Sequence, residues 1–125
     1  MAGSMNPVGW FEIYVADMAR AKAFYSAVLG SDFREIPVEG MEMWAFPAGP
    51  DNPGAGGTLV KHPMRQPSNQ GTLVYFATDH CGDTADKAAA AGGQIFLPRT
   101  SIGPMGFIAI VGDTEGNAIG LHSMA

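Results

Sequence analysis

WFEIYVADMARAKAFYSAVLG, residues 10–30, runs a strand into a helix with one aspartate between them. Phe11, Ile13 and Val15 share one face of a period-2 strand, and Trp10, Glu12 and Tyr14 share the other. After Asp17 the period lengthens to that of a helix, expected over 18–29. Ala23, Phe24, Ala27 and Val28 lie on one face, and Asp17 is placed to cap the first free N–H groups. Gly30 suits the left-handed residue that ends such a helix. One letter resists this reading. Glu12 is a carboxylate between two aromatic rings in the middle of a strand, which puts it either at a solvent edge or in a pocket.

The unit recurs. Asp17 and Asp79 each end an apolar run, Gly30 and Gly92 each end the following segment, and DNPG (51–54) answers DTEG (113–116), all 62 residues apart. Leu59 and Leu121 keep the same spacing. A repeat at one constant offset with divergent side chains predicts two copies of one structural unit. Each reads βαβββ. The first copy is expected as strand 9–16, helix 18–29, then strands 32–38, 41–47 and 56–61. The second is strand 72–78, helix 83–91, then strands 94–100, 105–112 and 117–123. The domain is expected to span 5–125, with repeats over about 8–61 and 71–123 joined by a linker at 62–70. Residues 1–4 read as a cloning remnant ahead of a start at Met5. Strands outnumber helices, so the fold class is α+β, with two helices covering one sheet face.

Composition narrows the function. The chain has 125 residues, is 46% apolar and 15% charged, and carries a net charge of −5. Its seven basic residues are scattered, whereas a nucleic-acid surface needs them clustered. No stretch approaches the roughly 18 apolar residues of a membrane helix. The single cysteine, Cys81, has no internal partner for a disulfide. A reducing, cytoplasmic setting is expected.

With its repeat, the stretch VADMARAKAFYSAVLG (15–30), the Gly-Gly of AAAAGGQI and the segment DTEGNAIGLHS (113–123) make the chain resemble the vicinal oxygen chelate superfamily. That superfamily includes glyoxalase I, extradiol dioxygenases and bleomycin-resistance proteins. The resemblance implies paired modules curled into an incomplete barrel with a concave cavity. It also implies a divalent metal held by His, Glu or Gln from the first and last strand of each module. Carried over, those positions fall on Trp10, on Thr72 or Leu73, on Thr58 and on Gly120, none of them a good metal ligand. No metal or other cofactor is therefore expected, the alternative being a metal bound by Glu12, His122 and another residue.

If Trp10 occupies a ligand position, its strand face lines the cavity, and Glu12 and Tyr14 line it too. His122 shares a face with Gly120. Glu12 and His122 are then expected in one layer, about 6.5–7 Å along from the old metal position. Their two-fold mates would be Val74 and Val60. An acid facing an imidazole in an apolar cleft is a candidate acid–base pair. The plain alternative is that Glu12 is bonded to neighbouring backbone or water and that His122 simply lies near the C-terminus. Trp10, Tyr14, Thr58, Thr72 and Gly120 are the candidate ligand-binding residues. Two functions follow. One is a glyoxalase-like lyase or isomerase using Glu12 and His122. The other is a bleomycin-resistance-type protein that sequesters a hydrophobic or aromatic molecule. Trp44 is expected in the core or a dimer contact, His62 and His80 at the surface. A homodimer is expected, with a small molecule as ligand and no nucleic acid or membrane as partner.

Overall fold

The computed structural model describes residues 6–125, so Met5 and the segment before it lie outside the described residues. The first unit runs β1 (Trp10–Tyr14), α1 (Met18–Leu29), β2 (Arg34–Glu35), β3 (Glu42–Ala45) and β4 (Gly56–Lys61). The second runs β5 (Tyr75–Ala77), α2 (Cys81–Ala90), β6 (Gln94–Ser101), β7 (Phe107–Gly112) and β8 (Ala118–Ser123). Each unit forms a four-stranded sheet, ordered β1-β4-β3-β2 and β5-β8-β7-β6. In each the first and last strands pair in parallel, and the other pairs are antiparallel. The two sheets share no strand pairing, so no closed barrel forms. The class is α+β, as the repeat predicts.

Local chemistry sets the helix ends. The Asp17 carboxylate accepts the Arg20 N–H at 3.0 Å, and Gly30 closes α1 in the left-handed conformation at φ 69°. The buried stripe of α1 is Met18, Ala21, Phe24, Tyr25 and Val28. Phe24 and Val28 were expected there, but Ala23 and Ala27 are exposed, because the stripe centres on the two aromatic rings. In α2 the small Ala85 and Ala88 are buried and let the helix settle on β6 and β7.

One apolar cluster spans both units. Ile13, Val15 and Leu59 of the first sheet meet Ile119, Leu121 and Val111 of the second through α1 and α2. Phe11, Tyr25, Phe46 and Phe76 join the units at its margin, with ring centroids 5.5–6.1 Å apart in tilted and edge-on pairs. Polar bonds tie the β7–β8 turn to the β1–α1 corner. The Glu115 carboxylate accepts the Ala16 and Asp17 N–H groups at 2.9 and 2.8 Å and pairs with Arg20. Asn117 donates to the Tyr14 carbonyl at 2.9 Å, and the Tyr25 hydroxyl donates to Asp113 at 2.6 Å.

The offset of 62 holds only in part. β4 and β8 are 62 apart, but α1 and α2 begin at Met18 and Cys81, which are 63 apart. The extra residue lies before β5, as strand pairing makes plain. Glu12 stands opposite Thr58, and Tyr75 stands opposite Gly120. Tyr75, not Val74, is therefore the two-fold mate of Glu12, and the same register makes Leu73, not Thr72, the mate of Trp10. The strand expected at 72–78 narrows to 75–77, the one at 32–38 shrinks to two residues, and α2 starts two residues earlier than expected.

Candidate functional site

The face of each sheet turned away from the helices carries exposed rings on its outer strands, although Thr58 and Val60 on the central strand of the first sheet are buried. On β1 it carries Trp10, Glu12 and Tyr14, since Ile13 and Val15 on the other side enter the core. Trp10 is 47% exposed and Tyr75 is 44% exposed, high for rings set in strands. Glycine explains how they lie. A Cβ on Gly56 would stand 3.0 Å from the Trp10 ring. A Cβ on Gly120 would stand 2.3 Å from the Tyr75 ring, and one on Gly112 would stand 2.8 Å from the Phe96 ring. Each ring rests where a neighbouring strand has no side chain, and Phe96 remains 51% exposed. Trp10 and Tyr75 together make an aromatic platform along one groove, and Phe96 borders another.

Two grooves share Trp10 as a wall. One, of about 610 Å³, is also lined by Phe46, Phe76, Thr72 and Tyr75. The other, of about 460 Å³, holds Glu12 and Tyr14 beside the linker residues Gln66, Ser68 and Gln70, and Thr72 borders it too. The linker is pinned there by Asn117, whose side-chain Oδ1 accepts the Ser68 N–H at 2.9 Å.

Glu12 and His122 make no bond to each other. Glu12 Oε1 accepts the Tyr14 hydroxyl at 2.8 Å. This hydrogen bond, then partial burial and the carboxylate's charge, raise the Tyr14 pKa, with Arg65 nearby pulling the other way. His122 Nε2 lies 2.6 Å from the Met105 carbonyl, in the 3-10 turn Gly103–Met105 before β7. Thr58 is fully buried, and its hydroxyl has no hydrogen-bond partner among the described residues. Gly120 is covered by the Tyr75 ring. Trp44 belongs to the helix side, with the Lys22 ammonium 3.3 Å above its ring centroid. His80 is the exposed N-cap residue of α2 and makes no side-chain cap bond, and the half-buried His62 accepts the Met64 N–H. Cys81 is wholly buried. Tyr75 and Phe96 were missed in the sequence. The one-residue shift hid the first, and the second sits in a strand whose register slips between Ile95 and Leu97.

The family model described as Glyoxalase/Bleomycin resistance protein/Dioxygenase superfamily matches residues 8–121. The chain belongs to this superfamily. Among solved members it is similar to TnmS3, an antibiotic binding protein from Streptomyces sp. CB03234, at 25% identity. The match covers 98% of each chain with a TM-score of 0.71. Glyoxalase I from Zea mays shares the fold at 19% identity and a TM-score of 0.73, over 92% of this chain and 45% of that one. CFP32 of Mycobacterium tuberculosis, whose name assigns it provisionally to the glyoxylases, is 27% identical over 114 residues. The chain spans 43% of that protein's length.

A divalent metal of the superfamily's kind does not fit the residues at the expected positions. They offer an indole, a buried hydroxyl, a glycine under a ring and, in the second unit, Leu73. Among the described residues no three His, Cys, Asp or Glu side chains converge.

Proposed function

We propose that the chain binds a flat aromatic or hydrophobic small molecule on this open face and holds it without chemistry. The observation that carries the reading is the ring platform. Trp10 and Tyr75 lie over glycines in one 610 Å³ groove, at and beside positions where the resemblance implies ligands for a metal. Exposed aromatic surface of this kind is stabilised by a stacked partner, and a few placed polar groups orient it. The full-length likeness to an antibiotic binding protein supports the same reading. A homodimer covering the open faces, and a cytoplasmic setting that keeps Cys81 reduced, belong to this proposal.

Trp44 is half-buried under Lys22, so a Trp44→Phe protein leaves Trp10 as the sole indole reporter. Titration with a panel of aromatic antibiotics is expected to quench its fluorescence saturably for at least one member. A panel that leaves the emission unchanged sinks the reading.

Glu12 supports a second reading, glyoxalase-type proton transfer. Its carboxylate is exposed beside a tyrosine hydroxyl, an arrangement able to take up and return a proton. That enzyme would exchange a substrate proton with deuterated water on a thiol-conjugated metabolite, and Glu12→Gln would abolish the exchange.

A further inference from the structure

The chain already seats one cation on an indole, beside which the pair Trp10 and Glu12 can be set. On β3, Glu42 and Trp44 are two residues apart, and the indole Nε1 donates to the Glu42 carboxylate at 3.0 Å. The Lys22 ammonium of α1 sits 3.3 Å over the Trp44 ring. A cation is thus received by an indole face through the ring's quadrupole, while the carboxylate holds the indole's N–H edge and forms no ion pair with Lys22. A second cation, Arg99, lies 3.7 Å over Phe107.

β1 carries the same two residue types two apart, in the opposite order and on the face away from the helices. Trp10 and Glu12 share one face, with Tyr14 next in line. Only Oε1 of Glu12 is engaged, by the Tyr14 hydroxyl. No ion pair reaches Glu12 among the described residues, and no Lys, Arg or His lines its groove. The other lining groups include the uncharged Gln66, Ser68, Gln70 and Thr72, which suit hydrogen-bonding but supply no charge. Arg65 approaches the Tyr14 hydroxyl from the linker without joining the lining. The protein as a whole is negative, at −5.

We propose that the ligand carries a protonated amine, which seats between the Glu12 carboxylate and the Trp10 ring while its aromatic part extends over the platform toward Tyr75. This rests on the binding reading above and adds the chemical class, an aromatic ammonium compound. The amine takes the place against Trp10 that Lys22 takes against Trp44. Glu12 contributes charge and orientation, and Tyr14 fixes its carboxylate by occupying one oxygen.

Three probes of one shape test it: naphthylmethylamine, naphthylmethanol and naphthoate, titrated at neutral pH into the Trp44→Phe protein. The amine is expected to bind about tenfold tighter than the alcohol, and the carboxylate weakest, the attraction being electrostatic. In Glu12→Gln the amine is expected to fall to the alcohol's affinity. In unsubstituted Glu12 protein at about 1 M salt, where screening is nearly complete, the preference is expected to shrink severalfold. The salt series stands even if Glu12→Gln fails to fold. Equal binding of amine and alcohol overturns the ammonium proposal and leaves the platform reading intact. So does a preference that survives both high salt and loss of the carboxylate. Failure of all three probes to bind removes both.

Discussion

Glu115 is buried to the tip of its carboxylate yet ionised. Burial works to raise its pKa. The hydrogen bonds from Arg20, from the Asp17 and Ala16 N–H groups and from the Thr114 hydroxyl outweigh that and hold it at about 2. The folded-state value lies below the unfolded one, so this contribution to stability is complete above about pH 4.5. It is lost as the pH falls toward about 2. The shift corresponds to about 2–3 kcal/mol after allowance for the half-exposed Arg20. Urea unfolding at pH 7 is expected to show Glu115→Gln weaker by about that amount, and the gap is expected to close between pH 4.5 and 2. A gap that stays constant with pH would contradict the assignment. Thr58 makes the opposite case. Its buried hydroxyl has no partner among the described residues, and an unsatisfied group of that kind costs about 1–3 kcal/mol. Thr58→Val is therefore expected to raise stability by about 1 kcal/mol in the same assay. A loss would mean that the hydroxyl is bonded. Neither role was legible in the sequence. DTEG entered the sequence reading as a repeat of DNPG, but the N–H groups that Glu115 binds lie 98 and 99 residues away in the chain, and no spacing rule reports that.

At the level of elements, the repeat in the sequence was enough to place two helices and most strands, because apolar period and capping are local properties. Asp17 and Gly30 act as their residue types predict. Register was less legible. The one residue inserted before β5 turns every side chain there to the other face, which puts Tyr75 where Val74 had been expected. The insertion also explains Gly120. Tyr75 crosses onto it, and a Cβ there would lie 2.3–2.6 Å from three atoms of the ring, including the one nearest the backbone. Gly120→Ala is therefore expected to cost about 1–3 kcal/mol through overpacking. Because the obstacle is one side chain, Tyr75→Ala is expected to recover most of that loss in the double variant. The coupling energy from a double-mutant cycle in urea checks it. Additive losses would place the Tyr75 ring elsewhere.

Across the whole molecule, the two sheets meet through their helices and a shared aromatic cluster, leaving rings exposed on the opposite faces. On those faces Trp10, Tyr75 and Phe96 are each more than a third exposed, as is Val8 just before β1. Exposed rings of this kind suit an interaction site, and a specific protein interface needs at least about 1,000 Å² of buried surface. A second copy meeting these faces would bury the rings and place the small-molecule groove at the seam. Light scattering after gel filtration is then expected to give about twice the chain mass of 13.1 kDa. Phe96→Glu separates this interface from others. The ring is half exposed and rests over Gly112 without entering the core, so the fold survives its loss. A charge at a dimer seam has no partner and must be desolvated. The variant is expected to elute at the mass of one chain with an unchanged circular dichroism spectrum, and to bind the aromatic probes more weakly. A Phe96→Glu protein that stays dimeric would assign the contact to another surface, and the groove would then have to be built by one chain alone.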